Sequence, residues 1–220
     1  MSRDILLGLD TSGPHCAVSL WHNGETILDR TVEMKRGQAE KILGLAQDLL
    51  IEADLNFNDV TCLAVGVGPG NFTGIRIAVA AARGLALSSK LPIISVSTFD
   101  LNRAEVVDRD ERYIVTVAAP QDKLYTQMYD AGRPVGQARL ANLDDIDTDG
   151  IAFAVGPLSE RIHTFAHPVP ETSVSSRLGL MSGHAFRTFG YPKDAPKPLY
   201  IKPADAAPSK DQPPKLLNHG

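Results

Sequence analysis

Asp10, Thr11 and Ser12 follow an apolar run at residues 5–9. A carboxylate and two hydroxyls at the end of a buried strand either satisfy backbone donors of the next turn or face a ligand. Gly68, Pro69 and Gly70 stand between another apolar run and a helical pattern. Glycines there can bring backbone N–H groups to a phosphate at the helix N-terminus, or can simply allow a tight strand-to-helix turn. No Gly-Lys-Ser/Thr ending and no G-x-G-x-x-G register with a downstream acid accompanies them. His163 and His167 have the spacing of a helical metal-ligand pair, but a third ligand is missing and Pro168 ends the helix. Cys16 and Cys62 sit in apolar runs, which reads as buried free thiols in a reducing compartment. No G-x-S-x-G elbow is present. Asp144, Asp145, Asp147 and Asp149 lack the glycine and spacing of a calcium loop and read as a solvated surface.

The elements that must position these groups are legible in the first half. Residues 5–9 and 16–21 read as strands, Asn23-Gly24 as a tight hairpin turn, and residues 25–34 as a third strand. Residues 38–53 are helical, with Ile42, Leu45 and Leu49 on one stripe and Leu43, Ala46, Leu50 and Ala53 on a second, surplus one. Residues 63–67 are a strand. A helix over residues 74–87 follows, capped by Asn71 or Thr73. Residues 92–96 are a strand, and Ser97-Thr98 opens the next helix. In the helix over 74–87, Gly74, Ala78, Ala82 and Ala86 form a stripe of small residues beside Ile75, Ile77, Val79 and Leu85, while Arg76 and Arg83 share its charged face. Such a stripe packs either inside its own lobe or against a partner helix.

Further on, residues 113–118, 124–129 and 151–155 read as strands, and 158–165 and 178–189 as helices. Residues 1–102 then form a first lobe, 103–200 a shortened second lobe, and 201–220 a proline-rich tail. Seven of the last thirty residues are proline, so the tail is expected to pack at first and then disorder. The 220 residues suffice for two small cores. A formal net charge of −4 argues against a broad electrostatic grip on nucleic acid. No run approaches a membrane span and the first ten residues do not form a leader, so a cytoplasmic location is expected.

The stretch Ile5 to Ser12, then Gly66-Val67-Gly68-Pro69-Gly70-Asn71-Phe72-Thr73-Gly74-Ile75-Arg76-Ile77, then residues 92–98, resembles the TsaB family in order and spacing. The likeness covers roughly the first 100 residues and is fainter at Tyr125, Val155-Gly156 and residues 198–203. Arg36-Gly37-Gln38-Ala39-Glu40 and Ala118-Ala119-Pro120 depart from segments common in relatives.

The resemblance implies an α/β, actin-like ATPase fold (ASKHA, ribonuclease H-like) of two lobes, the second shortened. It implies a non-catalytic subunit that binds TsaD, and with it TsaE, and so supports threonylcarbamoyl transfer to adenosine 37 of ANN-decoding tRNA. The chain would have no cofactor of its own, with ATP used by the complex, and no metal; alone it could pair as a homodimer. The partner interface would draw on Gln38, Glu40, Leu43, Leu50, Gly74, Ile75, Arg76, Ala78, Val79, Ala82 and Arg83. Asp10, Thr11 and Ser12 would be the nucleotide contact if the chain makes one, because the Asp of this strand approaches phosphates and metal in actin-like ATPases. The rival readings are a metal-dependent peptidase or stand-alone carbamoyl transferase of the same superfamily, and a small-molecule kinase on the same fold.

Overall fold

The computed structural model describes residues 4–192 and 194–201. Two five-stranded sheets organise the chain. The first is built from β1 (Ile5–Asp10), β2 (His15–His22), β3 (Glu25–Glu33), β4 (Cys62–Gly68) and β5 (Ile93–Ser97), in the order β3-β2-β1-β4-β5. β1 to β3 form an antiparallel meander, and β4 and β5 join parallel to β1. The β2–β3 turn places Asn23 and Gly24 at φ 52° and 101°. Positive φ at both central residues matches the right-handed strand twist, which is why Asn-Gly signals this hairpin.

Side-chain alternation divides this sheet into two unlike faces. Ile5, Leu7, Leu9, Cys16, Val18, Leu20, Leu63, Val65 and Val67 point into the core formed with α1 (Gln38–Glu52) and α2 (Phe72–Ser89). Leu6, Trp21, Cys62, Ala64, Ile94 and Val96 point the other way, into a core with α3 (Thr98–Asn102) and α5 (Val174–Phe189). The Asn71 carboxamide accepts the Gly74 N–H at 3.0 Å and so caps α2. Ser97 and Asp100 form a reciprocal capping box at the start of α3.

The second sheet comprises β6 (Tyr113–Ala118), β7 (Leu124–Asp130), β8 (Arg133–Ala141), β9 (Phe153–Val155) and β10 (Ala166–His167), in the order β10-β9-β6-β7-β8. β8 is absent from the sequence reading. Pro134, Gly136 and a nearly continuous exposed run hide it, and only its antiparallel ladder to β7 makes it a strand. Its place at the sheet edge is where proline and a bulge are tolerated.

The helix expected over 158–165 is reduced to α4 (Ser159–Ile162). His163 is already extended at φ −145°, ψ 148°, and the chain turns into β10. The last helix begins at Val174, earlier than expected, where the Ser173 hydroxyl accepts the Ser176 N–H. A division at residue 102 would assign α5 to the second lobe. Its packing corrects that: α5 lies across β1, β2, β3 and β5 of the first sheet. Its Leu178 is fully buried against Leu6 and Ala64, because the first sheet would otherwise leave one apolar face uncovered. After α5 the chain returns to the junction of the two sheets. The Leu199 N–H donates to the Val67 carbonyl at 2.8 Å, and Leu199 packs against the cores of both sheets. The expected tail at 201–220, from residue 202 onward, lies outside the described residues.

Candidate functional site: a closed polar turn and an open helical face

Asp10 ends β1 with its carboxylate fully buried. Its Oδ1 accepts the Ser12 N–H at 3.0 Å and the Ser12 hydroxyl at 3.0 Å, and the His15 Nε2 lies 2.6 Å away. Oδ2 is buried and has no hydrogen-bond partner among the described residues. It lies over Gly66, where an added Cβ would stand 1.5 Å from it. The neighbouring Thr11 hydroxyl donates to the Gly74 carbonyl at 2.6 Å. Thr11 and Ser12 are buried too. The three residues named as a nucleotide contact therefore come together, but they are held by the chain's own groups and offer no open surface.

The glycine-rich turn explains why. The Asn71 N–H donates to the Ser12 carbonyl at 2.7 Å. A Cβ on Gly70 would meet the Ser12 carbonyl at 2.4 Å, and one on Gly74 the Thr11 carbonyl at 1.9 Å. Gly68 adopts φ 85°, which favours glycine. The close backbone approach that these glycines permit is to the chain itself, so the tight-turn reading of Gly68-Pro69-Gly70 is the one realised.

α1 and α2 lie side by side over the opposite sheet face. Of the eleven residues named for a partner interface, Gln38, Leu50, Gly74, Ile75, Ala78, Val79 and Ala82 are buried within the chain. This corrects their placement. The small stripe faces inward because α2 must pass close over β4 and the β1–β2 turn, and the stripe's absent side chains make room. Glu40, Leu43, Arg76 and Arg83 remain exposed. Around them the outer surface keeps large apolar side chains beside polar ones such as Gln47: Leu43 is 47% exposed, Ile51 65% and Leu87 86%, with Ala39 and Ala80 also exposed. A groove of about 400 Å³ between the two helices is lined by Ala39, Leu43, Thr73, Arg76, Ile77 and Ala80. Ile51 and Leu87 were not singled out in the sequence, although the apolar surplus on both helices was a signal for them.

A third cluster escaped the sequence reading altogether. Where the sheets meet, the buried Arg103 donates from Nε to Asp100 at 3.0 Å and from Nη1 to the Tyr113 hydroxyl at 3.3 Å, and lies 4.4 Å from the Tyr129 ring centre. Burial opposes its charge, but Asp100 and the two tyrosines outweigh that and raise its pKa. Burial first, then Asp100, pushes the Tyr129 phenol well above its ordinary value. Every polar partner is internal, so the cluster is a joint between the sheets.

Cys16 and Cys62 are free and buried, and burial raises their thiols to about 11 and about 12. His163 is the residue that ends α4 and His167 lies in β10, so the two do not share a helical face. Among the described residues, no three His, Cys, Asp or Glu side chains gather as metal ligands, the acidic loop at 144–149 included.

The topology and the β1 turn define an actin-like, ribonuclease H-like α/β protein with a small second sheet. A family model described as TsaD, tRNA N6-adenosine threonylcarbamoyltransferase, matches residues 32–139. The tRNA threonylcarbamoyladenosine biosynthesis protein TsaB of Escherichia coli (strain K12) is 41% identical over 93 residues, which are 42% of this chain and 40% of that protein. The protein of the same name from Haemophilus influenzae is 38% identical over 116 residues, 49% of this chain and 48% of that protein. The chain thus spans about half the length of the curated relatives it matches. The solved YeaZ from Pseudomonas aeruginosa superposes with a TM-score of 0.74 at 27% identity, over 90% of this chain and all of that one. The chain is similar to proteins of the TsaB (YeaZ-like) family, in sequence over about half its length and in fold over most of it.

Proposed function

We propose that the chain takes part in forming threonylcarbamoyladenosine on tRNA as a non-catalytic subunit, docking a TsaD-type catalytic protein on the outer face of α1 and α2. In this reading TsaE and tRNA are reached through that complex in the cytoplasm, ATP is used by the complex, and the chain holds no cofactor of its own. A homodimer through the same face is its state without the partner. The observation that carries the reading is the exposed apolar surface around Leu43, Ile51 and Leu87. Patches of this kind on a soluble domain mark interaction sites. The relatives' names, and this chain's own likeness to a TsaD model over residues 32–139, are why this reading takes an actin-like paralogue as the partner. The non-catalytic part is supported by the burial of Asp10, whose Oδ1 is engaged by Ser12 and His15 and whose Oδ2 is closed over at Gly66.

Leu43→Asp tests it. Leu43 is half-exposed, so the variant should keep its circular dichroism and melting temperature. It should fail to retain TsaD of the same organism in a pull-down, and should fail to support modification in a reconstituted reaction. A folded variant that binds and supports modification normally would remove this face from the interface.

A further inference from the structure

Beside Leu43, α2 carries a second kind of surface. Its sequence contains no acidic residue, and its two arginines, Arg76 and Arg83, are both exposed. Neither forms an ion pair among the described residues. Arg76 is nevertheless fixed in place. Its guanidinium carbon lies 3.7 Å from the Phe72 ring centre and 6.0 Å from that of Tyr200, and its Nε donates to the Tyr200 hydroxyl at 3.1 Å. The two rings are 5.4 Å apart, and although they help hold the arginine they are 50% and 51% exposed. Tyr200 is brought there by the returning segment whose Leu199 bonds to Val67. A groove of about 440 Å³ runs between this segment and α2, lined by Arg76, Val79, Ala80, Arg83, Pro198 and Tyr200.

We propose that this groove is the charge-reading part of the docking face, and that it takes carboxylate side chains from an acidic, otherwise apolar helix of the partner protein. This rests on the docking reading above and adds the chemistry of the partner. A stacked guanidinium keeps its fork of donors while losing little freedom on binding, which suits bidentate recognition of a carboxylate. Arg76 and Arg83 are seven residues apart, so their charges are offset by about 10 Å along the helix, and two carboxylates two turns apart match them. The groove floor of Val79, Ala80 and Pro198 suits the aliphatic stem of a glutamate. Nucleic acid fits less well. Two cations on an apolar floor, in a chain of net charge −4, make a poor phosphate track.

The experiment titrates the TsaD-type partner into the full chain, into Arg76→Gln/Arg83→Gln and into Leu43→Asp, at about 50 and about 500 mM salt. Both arginines are exposed, so the double variant should melt with the unaltered chain. The unaltered chain should bind about tenfold more weakly at high salt; the double variant should bind about tenfold more weakly at low salt and lose most of the salt dependence. If the double variant binds like the unaltered chain while Leu43→Asp does not bind, the docking face stands and the carboxylate groove falls. If every chain binds alike, or the unaltered chain does not bind, both readings fall. If partner affinity is unchanged and the double variant instead weakens tRNA binding by the assembled complex, the groove reads phosphate and the proposal is overturned.

Discussion

The two faces of the first sheet hold α-helices in different ways. Toward α1 and α2 the strands present Leu7, Leu9, Val18, Leu20, Leu63 and Val65, an apolar surface whose polar side chain, Arg30 of β3, stands at its edge. Toward α5 the same strands present Gly8, Asp10, His15, Ser19 and Gly66 among the apolar residues. There Gly8 meets the Ser19 hydroxyl and Leu178, and Gly66 meets Asp10. The first face is held mainly by burial, at roughly 25 cal/mol per Å², with the Arg30–Glu52 ion pair and the Thr11 hydroxyl on the Gly74 carbonyl at its margins. The second depends on particular polar pairs and on missing side chains. One face is therefore intolerant of charge and the other of small geometric change, while the outer surface of α1 and α2 tolerates both.

The sharpest way to break this comparison is to place a charge on the apolar face. Ala78 is fully buried between α2 and the sheet, so Ala78→Glu must either bury an unpaired carboxylate or lift the helix. Either costs several kcal/mol, of order 3–5, and urea denaturation should show a chain largely unfolded in buffer. A variant as stable as the parent would mean that the small stripe faces outward after all.

The difference between the faces also explains what the sequence could tell. Strands such as β1 read clearly because five consecutive apolar residues end in turn residues, and the Asn23-Gly24 hairpin because both positions need positive φ. What Gly74, Ala78 and Ala82 pack against was not legible. A stripe of small residues fits a sheet, a neighbouring turn or a partner helix equally, and the choice was made by the Thr11 carbonyl, 63 residues away from Gly74 in the chain. Likewise, nothing in residues 174–189 says that they cover β1 to β3 and not the nearer second sheet. Asp10 was legible as a special residue. Its partner His15 was not, because the turn between β1 and β2 must form before the imidazole reaches it.

On the polar face the expected effect is smaller and differently signed for function. Asp10→Ala removes the acceptor of the Ser12 N–H, the Ser12 hydroxyl and the His15 bond while all of them stay buried. Leaving such groups unpaired costs about 1–3 kcal/mol each where they cannot relax, so a total near 3 kcal/mol is expected in denaturant titration. The folded fraction should still bind TsaD and support modification in proportion to its amount. Full stability with activity lost would instead make Asp10 a ligand contact and reverse the assignment of this turn.

The smallest effect concerns protons. The apolar core of α1 and α2 contains one titratable side chain, Cys16, whose thiol is held near 11 and stays neutral under ordinary conditions. The α5 side contains His184, half-buried at the junction with Arg103, Asp100, Asp108 and Arg187 around it. Burial, then Arg103, lowers its imidazole below the ordinary 6.5, and Asp108 at 4.0 Å opposes this without cancelling it. Because the unfolded chain binds this proton more readily than the folded one, its contribution to stability is present above the unfolded value and is lost as pH falls below it. Thermal melting between about pH 7 and pH 5 should therefore show stability declining toward acid, and His184→Gln should flatten that decline. Asp108→Asn should steepen it, since the one carboxylate that favours the charged ring at close range is gone. An identical slope in the parent and the His184→Gln variant would place the acid sensitivity elsewhere, and the α5 side would then be no more proton-sensitive than the apolar one.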